Sequence, residues 1–241
     1  MLKIARNMLL ALALASTANA ADKLSEKEVK SIEKLELFNK VQIKVTNAFD
    51  TGSLYLLKVK VNGRSDEIYL TKDKKFLIAG DVIDTTSGAK LTVPADLSAL
   101  EGKEAFTYGT GKDEYILFTD PECPYCKKFE SYFPQIADKV KIKVFYFPLD
   151  FHKNAKDISL YIMSKKTNDG KIAAMHTTKD TPEYKNRKID STTLKNLTVK
   201  LDEQIELGRE LGVAGTPAVF DKDGNKASWV EMLAKYGIQV N

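Results

Sequence analysis

The chain has very little of the residues that usually build stabilising or metal-bound frameworks. Only two cysteines occur in 241 residues, with two histidines and one tryptophan. A secreted fold stapled by disulfides shows more cysteines at wider separations, so that class is excluded. Zinc prefers four ligands; there is no second C-x-x-C, and His152 and His176 are not spaced as a ligand pair, so a zinc site is excluded too. Net charge is also scarce. The formal value is +4, and it falls to +2 without Lys3 and Arg6. That is too little to argue for nucleic acid or an anionic membrane, and the interspersed lysines and acids form a solvated surface. Beyond the first twenty residues no apolar run is long enough to span a bilayer.

What is present begins with a separable leader. Lys3 and Arg6 give a basic start, Met8 to Ala15 form a short apolar run, and Ala18-Asn19-Ala20 offers the small-x-small pattern of a signal peptidase site. Residues 1–20 are therefore expected to be a signal peptide cleaved after Ala20, with the mature protein exported. At 43% hydrophobic and 29% charged, the remainder has the composition of a globular protein.

Residues 21–40 predict a helix. Ser25 followed by Glu28 fits a capping box, and Val29, Ile32 and Leu35 make one apolar face. The period then shortens to two: Val41, Ile43 and Val45, then Leu57, Val59 and Val61, followed by the hairpin signal Asn62-Gly63 and strand candidates at Glu67–Leu70 and Phe76–Ile78. A helix and small antiparallel sheet within residues 21–91 bury little surface alone, and pairing with a second copy would help them. Residues 92–112 predict a linker helix opened by Pro94 and Asp96, striped by Leu97, Leu100 and Ala105, and ended by a flexible Gly109-Thr110-Gly111. Residues 113–241 predict the order β-α-β-α-β: a buried strand at Tyr115–Thr119, a helix from Pro124 to about Val140, a strand at Ile142–Leu149, a mostly helical stretch over 153–212 broken near Asn168-Asp169-Gly170 and Pro182, a hairpin around Asp223-Gly224, and a last helix ending near Tyr236-Gly237.

Both cysteines lie in Cys123-Pro124-Tyr125-Cys126, directly after the buried strand and opening a helix. Each element has a chemical reason. The thiolate is the nucleophile, and free N–H groups at a helix start favour negative charge. Pro124 suits the first helical position, whose N–H is not needed. The i, i+3 spacing puts both sulfurs on one face. Cys123, at the exposed end, is expected to attack substrate disulfides, and Cys126, one turn deeper, to resolve the mixed disulfide. As a structural staple so short a loop gives only about 2 kcal/mol before strain. Haem attachment fails because Lys127 stands where histidine is required. No cofactor is expected beyond the redox-active Cys123–Cys126 pair. Gly215-Thr216-Pro217, just before a predicted strand, is a plausible cis-proline site.

The run Phe118-Thr119-Asp120-Pro121-Glu122-Cys123-Pro124-Tyr125-Cys126 resembles the active-site segment of the DsbC/DsbG family of periplasmic disulfide isomerases. Gly215-Thr216-Pro217-Ala218 is similar to that family's cis-proline loop. Tyr69-Leu70-Thr71 through Asp73, Ile78, Gly80 and Asp84 resembles the strand pair of its N-terminal domain. The resemblance implies an α+β architecture: a thioredoxin-like catalytic domain over 113–241 with a helical insertion at about 153–212, a cystatin-like N-terminal dimerisation domain over 21–91, and a linker helix over 92–112, assembled as a V-shaped homodimer. It further implies Cys123 as nucleophile and Cys126 as resolving thiol, with Thr216, Pro217 and Tyr125 facing substrate. Implied partners are wrongly disulfide-bonded exported proteins and a membrane reductase of the DsbD type, with chaperone activity besides. A net dithiol oxidase and a redox-independent dimeric chaperone stay open as alternatives. The middle dipeptide Pro-Tyr matches the DsbG branch, and no extra cysteine pair is present. Leu117 stands where thioredoxins often keep a buried acid, and no histidine lies between the cysteines; both absences favour the isomerase branch. Glu122 is expected to be simply exposed. Asp221, Asp223 and Asn225 imitate a calcium loop but lack its glycine and terminal glutamate, so a turn is expected. Asn196-Leu197-Thr198 matches a glycosylation acceptor but falls in a helical pattern.

Overall fold

The structure, a computed structural model, describes residues 21–83, 85 and 90–240. The signal peptide expected over residues 1–20 lies outside the described residues, as does Asp84. The chain divides into two compact units, 1–93 and 94–241.

The first unit is a helical pair on an antiparallel sheet. After β1 (Asp22–Lys23), Ser25 caps α1 (Glu26–Glu33) in the expected capping box, its hydroxyl accepting from the Glu28 N–H while Glu28 reaches back to the Ser25 backbone. The single helix expected over 21–40 is two. Leu35 is extended and restarts the chain as α2 (Glu36–Val41), which ends where Gln42 turns left-handed with φ 56°. Val41 therefore closes a helix rather than opening a strand. The break lets Ile32 of α1 and Phe38 of α2 both point into the core, where they meet Ala48, Leu57, Val59, Ile68 and Leu70. These last residues belong to β2 (Lys44–Asp50), β3 (Leu54–Val61) and β4 (Arg64–Thr71), which with β1 and β5 (Leu77–Ile78) form a sheet in chain order. The hairpin joining β3 and β4 turns at Asn62 and Gly63, both at positive φ, as a two-residue hairpin requires.

In the second unit the expected linker helix over 92–112 is absent. Ser98–Leu100 make only a single 3-10 turn, capped by Leu97, and Gly102 at φ 71° follows its end. The stripe of Leu97, Leu100 and Ala105 is not a helix face: Leu100 packs under Ile116 and Phe118, and Ala105 leads into β6 (Phe106–Tyr108), the edge strand of the second sheet. Gly109-Thr110-Gly111 is not a flexible break either. Thr110 and Gly111 donate backbone hydrogen bonds to the carbonyls of Ala137 and Val140, and a Cβ on Gly111 would lie 1.8 Å from the Lys139 carbonyl carbon. The glycine is there because another backbone passes too close for a side chain.

That sheet has the order β10-β9-β7-β8-β6. Its centre is β7 (Asp113–Thr119), parallel to β8 (Val140–Tyr146) and antiparallel to β9 (Ala218–Asp221), which pairs with β10 (Lys226–Ala227) around the expected turn. The turn is the calcium-loop imitation: Asp221 accepts from the backbone N–H groups of Asp223 and Asn225. Strand β7 is buried on both faces, so its apolar run is continuous. Tyr115 and Leu117 face one core with Phe129, Phe133 and Ile142; Ile116 and Phe118 face the other with Phe145, Phe147 and Phe220. The helix of the cysteine motif, α3 (Pro124–Glu130), stops well short of Val140. Pro134 explains this, since a proline clashes with the carbonyl four residues before it. The insertion holds α4 (Ala155–Met163), α5 (Asn168–Ala174), α6 (Pro182–Lys185) and α7 (Ser191–Glu210). The helical stretch breaks, as expected, just before Asn168-Asp169-Gly170, which open α5, and the Asn168 amide pairs with both backbone groups of Thr107, covering the open edge of β6. Asn196 lies within α7. Trp229 starts α8 (Trp229–Lys235), its ring 5.5 Å from that of Phe129.

Candidate active site

The cysteine motif sits where β7 ends and α3 (Pro124–Glu130) begins. Cys123 is the N-cap residue and Pro124 the first helical residue, as the sequence predicts. Both cysteines are free thiols, and the two are not equally placed. Cys126 is fully enclosed and Cys123 is 4% exposed. The outer thiol is thus less open than expected. Tyr125 between them is 66% exposed.

The chain returns to Cys123 from 93 residues away. Thr216-Pro217 is a cis peptide, and the Thr216 carbonyl accepts a 3.3 Å hydrogen bond from the Cys123 Sγ. Cys123, Cys126, Thr216 and Pro217 are therefore brought together, with Tyr125 on the open side of the helix.

Cys126 has a different environment. Burial pushes its thiol well above the ordinary thiol range; the hydroxyls of Thr119 and Thr216 and the backbone of Asp120 pull it partly back, and Cys123 adds to the upward shift. Below it Thr119 donates a 2.6 Å hydrogen bond to Glu130 Oε1. Burial pushes the Glu130 carboxyl up to about 8, against the opposing pull of the Thr119 hydrogen bond and Lys127. The site therefore contains a buried acid after all. It comes from the helix rather than from position 117 of the strand, where Leu117 is wholly buried. The sequence carried a usable signal: Glu130 is four residues after Cys126, hence on the same face of α3.

A second acid organises the loop before Cys123. The wholly buried Asp120 accepts from the N–H groups of Glu122 (2.7 Å) and Leu149 (2.7 Å) and lies 2.8 Å from His152 Nδ1. Glu122 is not merely exposed. Its carboxylate accepts from the backbone and side-chain N–H groups of Asn154, at 2.7 and 2.8 Å. Burial pushes that carboxyl up, and the Asn154 bonds together with His152 outweigh it, leaving it below the usual carboxylate range. The two acids clamp residues 149–154 to the loop 120–122 and hold Phe151, 74% exposed, with its ring 4.5 Å from that of His152. Neither histidine is placed as a metal ligand, and among the described residues no group of three or more His, Cys, Asp or Glu is gathered.

The chain is 25% identical over 192 residues to the "Probable thiol:disulfide interchange protein DsbC" of Bordetella avium, covering 73% of this chain and 61% of that protein. It is 28% identical over 173 residues to the thiol:disulfide interchange protein DsbC of Escherichia coli K12, covering 66% of each. The chain thus spans somewhat under two thirds of the length of these curated relatives. Among solved structures the catalytic domain of Proteus mirabilis ScsC matches 58% of this chain and 91% of its own, at 21% identity and a TM-score of 0.39. The thioredoxin-like domain model matches residues 107–231, which include β7, the cysteine motif, the insertion and the cis-proline loop. The chain belongs to the thioredoxin-like domain family.

Proposed function

We propose that this chain is a thiol–disulfide oxidoreductase that exchanges disulfides of exported proteins at Cys123, with Cys126 as the resolving thiol. The observation that carries the reading is the unequal pair: one sulfur at a helix start against the Thr216 carbonyl, the other sealed beneath it. In the first step the Cys123 thiolate attacks a substrate disulfide. A Cys123–substrate bond forms, the substrate's own S–S bond breaks, and its electron pair leaves on the released sulfur. In the second, Cys126 attacks Cys123, the Cys123–Cys126 bond forms, and the remaining substrate sulfur leaves as thiolate. The substrate is left reduced. If instead another of the substrate's thiolates attacks the substrate sulfur of the mixed disulfide, a new substrate S–S bond forms, the Cys123–substrate bond breaks with Cys123 leaving as thiolate, and the substrate is left rearranged with the enzyme dithiol regenerated. Tyr125, Thr216 and Pro217 line the approach to Cys123, and a bound peptide is expected to meet them first.

The finer reading is an isomerase or reductase rather than a net oxidase, supported by relatives named DsbC and by the Pro-Tyr dipeptide without histidine. With it go a periplasmic location after cleavage of residues 1–20, a homodimer through a cystatin-like unit at 21–91, chaperone activity, and a DsbD-type reductase as electron donor. These rest on the family resemblance and the leader pattern. No described helix is long and apolar enough to cross a membrane. A refolding assay on a scrambled multi-disulfide protein tests the activity. Recovery that depends on Cys123 is the expected outcome, and recovery unaffected by Cys123→Ser overturns it. The redox state in cells tests the direction: a mostly reduced pair is expected, and a mostly oxidised one points to a net oxidase.

A further inference from the structure

Arg187, in the connection between α6 and α7, has its guanidinium fixed on two sides. The guanidinium carbon lies 3.9 Å from the centre of the Tyr184 ring, and Nη1 donates a 3.0 Å hydrogen bond to the Tyr184 carbonyl. Stacking sets the plane of the fork, and the carbonyl takes one of its five donors. The other donors make no hydrogen bond among the described residues. Nη2 lies 3.8 Å from Asp157, too far for one. Arg187 and Asp157 line a cavity of about 360 Å³ together with Leu160 on α4, Ile189 before α7 and Leu194 on α7. Leu194 is 40% exposed, an aliphatic side chain left facing water.

We infer that this cavity is a substrate subsite for the carboxyl-terminal residue of a polypeptide whose last side chain is apolar. This rests on the exchange reading given above. A guanidinium held in one plane with donors to spare matches the two oxygens of a carboxylate. The three aliphatic side chains offer burial to an apolar group in the same cavity. A chain-terminal leucine or phenylalanine carries both groups on one carbon. An acidic side chain would satisfy Arg187 and leave the aliphatic wall in water, and a neutral apolar residue would leave the fork unpaired. Asp157 is the competitor within the chain. It is 63% exposed, so it can turn out to water when a carboxylate arrives.

The cavity is tied to the reactive loop. Asn154, whose N–H groups bond to Glu122 beside Cys123, is the N-cap of α4, and Asp157 and Leu160 follow on that helix. At about 1.5 Å per residue, α4 carries Asp157 about 4.5 Å and Leu160 about 9 Å beyond Asn154. The Tyr184 phenol senses both neighbourhoods: burial raises it, Arg187 pulls it down, and the charges of Asp157 and Glu122 raise it further. A substrate joined to Cys123 reaches the cavity with about four to six extended residues, at about 3.5 Å each. Disulfides near a chain end are then preferred, a selection that the cysteine motif alone does not make.

Binding is read first, without exchange. The full-length protein, with isotope-labelled methyl groups, is titrated by NMR with N-acetyl-leucyl-leucine and with its C-terminal amide. The acid is expected to shift the methyl signals of Leu160, Ile189 and Leu194 and to bind roughly 10-fold more tightly than the amide. In Arg187→Met the two bind alike. In Arg187→Lys, which keeps the charge and loses the fork, the difference falls to roughly threefold. Asp157→Asn tightens the acid by roughly 2- to 5-fold. Equal binding of acid and amide to the parent, shifts that avoid the three methyls, or a preference that survives Arg187→Met overturns the inference. So does N-acetyl-leucyl-glutamate amide, whose one carboxylate is in its side chain, if it binds as tightly as the dipeptide acid. Exchange is read second, with disulfide peptides ending in leucine two or five residues after the cysteine. The parent is expected to favour the longer free acid over its amide roughly 10-fold in kcat/KM and to show no preference at the shorter spacing, and Arg187→Met removes the preference. No acid–amide difference at the longer spacing overturns the role in substrate selection. If the methyl shifts appear as expected but the parent shows no Cys123-dependent exchange, the functional reading falls and the carboxylate site stands.

Discussion

Cys123 and Cys126 are three residues apart, one the N-cap and the other within the first turn of the same seven-residue helix, yet the rim and the floor of the site follow different rules. The rim is made from a helix start, a returning loop and an exposed aromatic: Cys123 against the Thr216 carbonyl, with Tyr125 outward. The floor is made from buried side chains: Cys126 and Asp120, both wholly enclosed, with Thr119 and Glu130 nearly so. At the rim, reactivity depends on approach. On the floor it depends on where a proton rests, because burial penalises charge on both the thiol and the carboxyl. Two cysteines of one short motif thus acquire separate roles from their surroundings.

The largest expected effect breaks the comparison at the sulfurs themselves. Cys123→Ser takes exchange to the uncatalysed level, while Cys126→Ser still attacks and stalls as a mixed disulfide; non-reducing gels of the two variants show the difference. Next is the stability of the floor. The Glu130 carboxyl sits near 8 when folded against an ordinary value of 4.5. Its folded value is raised, so the stability of the folded state is fully present below about 4.5 and declines as pH climbs towards 8. Glu130→Gln has no such decline. Chemical denaturation at pH 5 and pH 8.5 is expected to show the variant gaining about 2–4 kcal/mol on the parent across that range. A smaller effect belongs to the clamp. Asp120→Asn offers one acceptor where two oxygens now serve two backbone N–H groups and His152, and about 2–3 kcal/mol of stability is expected to be lost by the same method. The smallest is at the rim: Tyr125→Ala is expected to change stability by less than about 0.5 kcal/mol, with its effect confined to KM for peptide substrates.

What was legible in the sequence was local. Ser25 with Glu28, Asn62-Gly63, and a C-x-x-C opened by proline after a continuous apolar run each specify their structure within a few residues, and each forms as expected. The misreadings came where a distant strand decides. Leu97, Leu100 and Ala105 have helical spacing, but Ala105 and Phe106 are taken by hydrogen bonds to Val144, forty residues on. Gly109 and Gly111 are explained only by the Lys139–Val140 backbone that passes over them. Within the site the motif and Thr216-Pro217 were found from sequence. The pairings of Asp120 with His152 and Glu122 with Asn154 were not, since each spans 32 residues and leaves no periodic trace. Glu130 belongs to no motif, and its one trace in the sequence is its helical spacing from Cys126.

The most direct test of the account is to trap the exchange intermediate. The Cys126→Ser protein, reduced and mixed with a peptide carrying a single disulfide, is quenched with acid and mapped by mass spectrometry. The account predicts a peptide joined to Cys123, absent when Cys123 is also replaced by serine. An adduct that survives loss of Cys123, or no adduct at all with a parent protein shown to be folded and reduced, contradicts it.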